Sequence, residues 1–259
     1  MRSSTFLLLI LLMSLASVRC DELVTDRPDF TESTEVVGAN ILQVETGLRW
    51  DSERCSGAVN RTFTAVSPLI RLGVSRRVEL RAGNQGYLRR VGPSLGRQAG
   101  LSDTSFGAKV KLRDEGAVLP ALSVISSVSI PWGSRHFSSQ GYDPALTLAW
   151  SRGLPRGFDA AGNINLVSTR VDSGRSVQSA YSFATGRRLS RSVRAYWEAY
   201  WLGSAGASGG SWTFNTGLTR QVGRDTQLDV EVGRSLRGLP CWFAGVGFSF
   251  RTPLARFVR

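Results

Sequence analysis

The chain has 259 residues, of which 42% are hydrophobic, and a formal net charge of +12. This apolar content is too high for a disordered chain, and no run of about 20 apolar residues follows the N-terminal stretch, which excludes a helical membrane protein. The sequence contains one His and three Cys, and both of its Met residues lie within the first 13 positions. We therefore expect no zinc, haem or other cofactor site.

Residues 1–20 are predicted to be a signal peptide. Arg2 supplies its positive charge, and residues 6–15 form an apolar run that is too short to span a membrane. We expect cleavage after Ala16 or after Cys20. Lipidation of the cysteine is disfavoured because an arginine, rather than a small residue, precedes it. The sequence therefore predicts an exported protein.

From residue 41 onwards, apolar and polar residues alternate with a period of two, which predicts strands with one apolar and one polar face. Most of these runs have about 9–12 residues, the length that a tilted strand needs to cross a bilayer. We count twelve, an even number as in bacterial outer-membrane barrels. Their predicted bounds are 41–50, 61–72, 77–88, 103–113, 119–131, 144–152, 158–167, 176–185, 192–202, 211–221, 226–235 and 242–251.

The connections alternate in length, which is a second signal for a barrel. Short turns alternate with longer connections such as 51–60, 89–102 and 168–175. Outer-membrane barrels have short periplasmic turns and longer outer loops, so this phase predicts both termini in the periplasm. Five tryptophans then fall at the outer strand ends, at the headgroup level that Trp prefers: Trp50, Trp132, Trp201, Trp212 and Trp242.

These patterns predict an all-β protein, a closed antiparallel up-and-down transmembrane β-barrel of about twelve strands in the bacterial outer membrane. The barrel is expected to span residues 41–251, with residues 21–40 before it as an N-terminal periplasmic segment or plug and residues 252–259 after it as a C-terminal tail. A secreted β-sandwich is the alternative. In a sandwich, however, Trp would cluster at the middle of the strands, where only Trp197 lies.

The polar faces of the strands are predicted to line the lumen of the barrel. Twelve strands enclose a space between that of small side-chain-filled barrels and that of open porins. A narrow path for small solutes and a closed lumen packed with ion pairs are both compatible with this size. The lumen residues selected as the solute path are Glu45, Arg49, Glu79, Arg81, Lys109, Lys111, Asp159, Arg194, Glu198, Asp229 and Glu231.

Arginines concentrate in the connections assigned to the outer side. Guanidinium groups bind phosphate in a bidentate manner, so outer-membrane lipid and lipopolysaccharide are expected partners. A high net positive charge is often associated with nucleic acid, but export and strand patterning argue against that partner. The arginines concerned are Arg54, Arg61, Arg89, Arg90, Arg97, Arg135, Arg170, Arg175 and Arg237.

A motif before the first strand departs from the alternation: Thr25, Asp26, Arg27, Pro28, Asp29 and Phe30, continued by Thr-Glu-Ser. With the stretches 43–47, 69–81, 106–111, 119–131 and 245–251, it resembles the outer-membrane family described as putative MetA-pathway of phenol degradation proteins. The resemblance implies a barrel that passes small organic solutes, aromatic ones among them. The two later cysteines, the Arg-rich 89–102 connection and the tail depart from the family pattern.

The charged residues of residues 21–40 allow three interpretations. The segment could fold into the periplasmic mouth as a plug that pairs with Arg71, Arg113 or Arg251. It could also be an ordered cap without a gating role, or a flexible leader.

Cys55 and Cys241 are predicted to form a disulfide. A closed barrel pairs its first and last strands, which brings both cysteines to the outer rim, and the exported compartment is oxidising. The bond would join the two ends of the barrel.

We expect a channel or transporter for small organic solutes rather than an enzyme. The first alternative is a closed structural or surface-interaction barrel. The second is an outer-membrane hydrolase that uses the single histidine, His136, with neighbouring serines and Asp143. Groups adjacent in one loop rarely hold catalytic geometry, so the hydrolase is disfavoured.

Overall fold

The computed structural model describes residues 23–55, 57–93, 95–171, 174–203, 209–238 and 241–256; the predicted signal peptide lies outside them. The described residues form 15 strands and two short 3-10 helices, Pro155–Gly157 and Leu254–Arg256. The strands are β1 Ile41–Cys55, β2 Ala58–Ala65, β3 Leu69–Gly73, β4 Val78–Asn84, β5 Tyr87–Gly92, β6 Gly96–Leu101, β7 Thr104–Arg113, β8 Ala121–Ile130, β9 Asp143–Leu154, β10 Phe158–Val171, β11 Gly174–Arg188, β12 Val193–Gly203, β13 Gly210–Gln221, β14 Thr226–Arg237 and β15 Cys241–Pro253.

The strands form one antiparallel sheet that closes on itself through β1 and β15. Strand β1 pairs with β2 along one half of its length and with β3 along the other, so β2 and β3 together make one bent barrel strand. The pairs β4 with β5 and β6 with β7 do the same. The barrel therefore has twelve strands, and the fold prediction is confirmed.

The two ends of the barrel differ in what they carry. We call the end where β1 begins and β15 finishes the near end, and the opposite end the far end. The predicted long connections 51–60, 89–102 and 168–175 lie at the far end and are wrong as loops, because hairpin pairing continues through most of them, as far as Cys55 with Ala58 and Gly92 with Gly96. Alternation fades there, so the sequence pattern does not mark these extensions as strand.

The burial pattern is inverted relative to a soluble protein. Apolar side chains face outwards: Leu48 is 43% exposed and Phe248 is 41% exposed. Polar side chains are buried inside the barrel, with Glu45, Glu79 and Lys109 at 0% exposure. Among the described residues, no helix is long and apolar enough to cross a membrane. The outward apolar surface matches what a lipid bilayer solvates.

The aromatic residues add a belt to the far end of this outer surface. Trp50, Trp132, Trp212 and Trp242 are between 42% and 67% exposed. Trp132 packs edge-on against Phe106, with ring centroids 5.8 Å apart. Tryptophans at one level of an apolar outer surface are typical of a membrane interface.

The predicted Cys55–Cys241 disulfide is wrong: both cysteines are thiols in the structure. The barrel seam pairs Cys241 with Glu53, and β1 continues beyond that residue to Cys55, which pairs with Ala58. The two cysteines are thus diagonal neighbours, which lie about 7–8 Å apart with their Cβ atoms somewhat closer, whereas a disulfide needs a Cβ–Cβ distance of about 3.8 Å. The strand extension at the far end, which the sequence pattern did not reveal, explains the error.

The last strand reaches further than the predicted barrel limit of residue 251. Strand β15 ends at Pro253, and Leu254 N donates to the carbonyl of Asn40 at 2.9 Å. The remainder of the predicted tail after Arg256 lies outside the described residues.

Candidate functional site

Residues Leu23–Asn40, which we call the inserted segment, lie inside the barrel. At its start, Gln221 donates to the carbonyl of Leu23 at 3.1 Å. At its end, Asn40 N donates to the carbonyl of Gly73 at 2.9 Å. Gln221 and Gly73 both lie at the near end of the barrel, so the segment enters and leaves the lumen by the same mouth.

Asp26 is the centre of the contacts on one side of the lumen. Its carboxylate accepts from Arg81 at 2.6 Å and from Lys109 at 2.9 Å, and it lies 3.4 Å from Arg71. These three cations and Lys111 project from β3, β4 and β7, and we call this side the basic wall. Arg71 and Lys109 have no exposed surface. A carboxylate held by three buried cations is a strong, water-excluded anion site.

Two further acidic residues of the inserted segment pair with cations of the basic wall. Arg81 also donates to Glu32 at 2.6 Å, and Lys111 donates to Glu35 at 2.9 Å. Two carboxylates of the wall itself bind backbone groups of the segment: Glu45 accepts from Asp26 N at 2.9 Å, and Glu79 accepts from Val37 N at 2.7 Å. The segment is therefore fixed by its main chain as well as by its charges.

The side of the lumen formed by β12 to β14 is acidic. Glu198 on β12 and Asp229 and Glu231 on β14 face inwards, and we call this side the acidic wall. Glu198 accepts from Phe30 N at 2.8 Å and from Thr31 N and Oγ1, both at 2.6 Å. These donors come from consecutive residues of the segment, so they fix its backbone against β12.

Two side chains of the motif also reach this side. Arg27 donates to Asp229 at 3.3 Å, and the ring of Phe30 stacks on Tyr200 with centroids 4.5 Å apart. Asp26 and Arg27, adjacent in sequence, thus contact different walls.

Arg27 lies in a niche that depends on two glycines. Gly47 and Gly247 are paired across the barrel seam. A Cβ atom at Gly47 would lie 2.6 Å from the guanidinium carbon of Arg27, and one at Gly247 would lie 2.5 Å from its Nε. Both approaches are shorter than van der Waals contact allows. The niche therefore admits a cation because both positions lack a side chain.

The charge state of the segment differs between its two aspartates. Burial alone would raise the pKa of Asp26, but Arg71, Lys109 and Arg81 hold it well below its usual range. Burial and the nearby Glu198 carboxylate raise the pKa of Asp29 well above its usual range, although Arg194 opposes them. The environment of Asp26 therefore favours its charged form, whereas that of Asp29 disfavours it.

A cavity of about 540 Å³ adjoins the inserted segment. Arg27 and Pro28 line it, and it extends along the wall past Arg49 to Glu53 and Cys241 at the far end. Arg49 pairs with Asp51 at 3.0 Å and lies 3.7 Å from Glu231. The lumen is thus filled by the segment and widens beyond it into a polar vestibule.

The selected solute-path residues divide into three groups. Seven contact the inserted segment directly: Glu45, Glu79, Arg81, Lys109, Lys111, Glu198 and Asp229. Arg49 and Glu231 line the vestibule. Asp159 and Arg194 pair with each other near the near end and are both partly exposed.

Of the three arginines proposed as plug partners, Arg71 contacts the segment, at 3.4 Å from Asp26. Arg113 donates to the carbonyl of Pro120, and Arg251 donates to Asp225. Both lie at the near-end turns.

Arg71, Tyr200 and the glycine pair were not selected as solute-path residues. Arg71 is on a polar face like the selected residues and could have been included by that signal. Tyr200 also lies on a polar face but is aromatic, and paired glycines have no periodic signal, so neither could be recognised from the pattern.

The features of a hydrolase are not brought together in the described part of the chain. His136 is exposed in the 131–142 connection. Asp143 pairs with Arg175 at 3.3 Å, and the hydroxyl of Ser139 donates to the carbonyl of Gly141. Within the described ranges, no group of three or more His, Cys, Asp or Glu side chains could hold a metal ion.

The fold is similar to solved outer-membrane barrels of different functions. The chain matches the KdgM porin with a TM-score of 0.52 and 12% identity, over 80% of this chain and 98% of that one. It matches the translocator domain of the autotransporter NalP from Neisseria meningitidis with a TM-score of 0.53 and 11% identity, over 83% and 90% of the two chains. The β domain of the Bordetella autotransporter BrkA gives 0.53 and 14%, over 82% and 99%.

These likenesses concern the fold alone, because the identities are low and the neighbours include both porins and autotransporters. No curated protein matches the chain. A family model does match, over residues 25–252, which begins at Thr25 of the inserted segment and covers the barrel. The chain belongs to the family described as putative MetA-pathway of phenol degradation.

Proposed function

We propose that the protein is an outer-membrane channel for small organic solutes, and that the inserted segment holds it closed in the described conformation. In this orientation the near end is periplasmic, and the vestibule widens towards the cell surface. The observation that supports this proposal is the occupancy of a polar lumen by a segment that enters and leaves through one mouth. Such a segment can withdraw without any strand of the barrel moving.

The polar walls support a path for solutes once the segment leaves. Buried charges without partners are costly, so a barrel that never opens would favour apolar side chains in its core. Here the walls keep charges that the segment neutralises, including three cations around Asp26. Withdrawal would expose these charges to water, which solvates them.

The outer surface supports the membrane partners of the proposal. The exposed tryptophans at the far end fit the headgroup level, and Arg54, Arg61, Arg89 and Arg97 are exposed beyond them. In an outer membrane, these guanidinium groups would meet lipopolysaccharide phosphates.

Single-channel recording tests the channel. The most informative variant exchanges two neighbouring residues, Asp26→Arg with Arg27→Asp. Composition and net charge stay the same, but an arginine now faces the basic wall and an aspartate faces the acidic wall. We expect wild-type protein in planar bilayers to open rarely and the exchanged variant to open at least about tenfold more often, because several charge-assisted contacts are lost at once. Val24→Ser is the control, because this exposed side chain lies outside the charge contacts.

The closed structural barrel is the alternative, and the buried ion pairs of Arg71 favour it. It predicts no conductance from wild type or from the exchanged variant when both run as folded barrels in heat-modifiable gel migration. That result would refute the channel.

A further inference from the structure

The inserted segment occupies three chemically distinct places in the lumen. A carboxylate, that of Asp26, lies among the cations of the basic wall, 2.6 Å from Arg81 and 2.9 Å from Lys109. A guanidinium, that of Arg27, lies in the glycine niche against Asp229. An aromatic ring, that of Phe30, stacks on Tyr200.

We propose that these three places, when the segment leaves them, form a binding site for short zwitterionic peptides that carry an aromatic residue. The inserted segment is then an internal competitor for the same site. This inference rests on the proposed channel function and names the class of solute for it.

The charges of the two walls favour a solute that carries both a positive and a negative group. Without the segment, the basic wall presents four cations, Arg71, Arg81, Lys109 and Lys111, against the two carboxylates Glu45 and Glu79. The acidic wall presents Glu198, Asp229 and Glu231, and Arg49 lies 3.7 Å from the last of these. A solute of one charge satisfies one wall and removes water from the other without replacing its hydrogen bonds, which is unfavourable. A zwitterion satisfies both.

The hydrogen bonds of the glycine niche beside Asp229 are incomplete even when Arg27 occupies it. Arg27 Nε and Asp229 Oδ2 are both buried and have no hydrogen-bond partner among the described residues. Arg27 therefore satisfies the niche only in part. An ammonium group, which has three donors in flexible directions, can approach both oxygens of Asp229 between Gly47 and Gly247.

The size of the solute follows from the spacing of the three places along the segment. Asp26 and Arg27 are adjacent, and Phe30 follows Arg27 by three residues. An extended chain spans about 3.3–3.6 Å per residue, so a peptide of about three residues covers the same length, about 10 Å. Its aromatic residue can then stack on Tyr200, as Phe30 does.

Peptide block of the ion current tests the inference on the exchanged variant, Asp26→Arg with Arg27→Asp. The probes are glycyl-phenylalanyl-glycine, its N-acetyl form without the ammonium, its amide without the carboxylate, and triglycine without the ring. We expect the free peptide to block at a concentration at least about tenfold below each of the other three, because each loses one charged or aromatic contact. On a further Asp229→Asn substitution, the free and N-acetyl peptides should block alike.

Two outcomes separate this inference from the channel itself. If the exchanged variant conducts and the four probes block alike, the zwitterion site is refuted while the channel stands. If it does not conduct, the channel is refuted, and the site is tested by calorimetric titration of the same probes in detergent, where equal or absent binding refutes it as well. A synthetic Thr25–Glu32 peptide should also block, whereas the same peptide with Asp and Arg exchanged should not.

Discussion

Asp29 shows how one residue can make the inserted segment sensitive to pH. Its pKa is raised by burial and by Glu198 and is lowered by Arg194, with the first two effects dominant. Because the docked state favours the protonated form, docking weakens as pH rises above the usual Asp value of about 3.9. Asp26 has the opposite shift, so its contribution is present above that value and is lost only in stronger acid.

We therefore expect the Asp29→Asn variant to open less often than wild type at pH 7 and to lose the rise in opening between about pH 4 and pH 7. Single-channel recordings across this range measure both effects. The Val24→Ser control should keep the wild-type profile. An unchanged profile in Asp29→Asn would show that this carboxyl does not influence docking.

The glycine niche gives a second prediction at the residue scale. In Gly247→Ala, the added Cβ would collide with the carboxylate of Asp229 and would lie 2.5 Å from Arg27 Nε, so the ion pair between Arg27 and Asp229 would be disturbed. Overpacking of this kind costs about 1–3 kcal/mol, so the open fraction should rise about fivefold or more. Gly116→Ala is the matched control, because its nearest neighbour is a carbonyl 3.8 Å away in a near-end turn. Equal opening of the two variants would contradict the niche.

At the scale of elements, the barrel wall bends along a line through three neighbouring strands. Strands β2 and β3 are interrupted at residues 66–68, β4 and β5 at 85–86, and β6 and β7 at 102–103. Val66 has a φ of 53°, which is rare for a β-branched residue, and Gly86 has a φ of 91° beside it. The far-end halves β2, β5 and β6 therefore form their own paired sheet beyond the bend.

Gly86 is the position where this bend is most sensitive. An added Cβ would lie 2.5 Å from the carbonyl oxygen of Val66, in addition to the penalty of a left-handed backbone. We expect Gly86→Ala to lower the free energy of unfolding by clearly more than Gly96→Ala, measured by urea titration with heat-modifiable gel migration. Gly96 has a φ of 64° and open space around it, so it carries the backbone penalty alone, about 1–2 kcal/mol. If both variants lost the same free energy of unfolding, the backbone at the bend would be able to move away from the added Cβ, and this prediction would be wrong.

The strands were predictable because the bilayer imposes one apolar face on each of them. Each of the twelve predicted strands corresponds to one barrel strand. The bend and the far-end hairpins were not predictable, because a left-handed Val66 leaves no compositional trace and polar residues occur on both faces of the hairpins. The disulfide prediction at Cys55 and Cys241 was wrong because the extension of β1 into a far-end hairpin was not recognised.

At the scale of the whole molecule, the sequence separates its charges by strand in a manner that only closure reveals. Lys109 and Glu198 both lie on the polar faces of their strands. In the closed sheet, however, Lys109 belongs to the basic wall and Glu198 to the acidic wall. The sequence predicted which side chains point inwards, because a period of two is a local property. It could not predict the partners of Asp26, because the residues that meet it come from three separate strands.

The single mouth used by the inserted segment has a consequence for biogenesis. A segment that ran from one end of the barrel to the other would have to be threaded before the last hairpin joined β1. Leu23 and Asn40 instead both lie at the near end, so the sheet can close first as an empty cylinder. The peptide can then fold into it as a separate, later step. Closure of the seam between β1 and β15 therefore does not require docking of the segment, and we expect a newly closed barrel to pass through an unplugged stage.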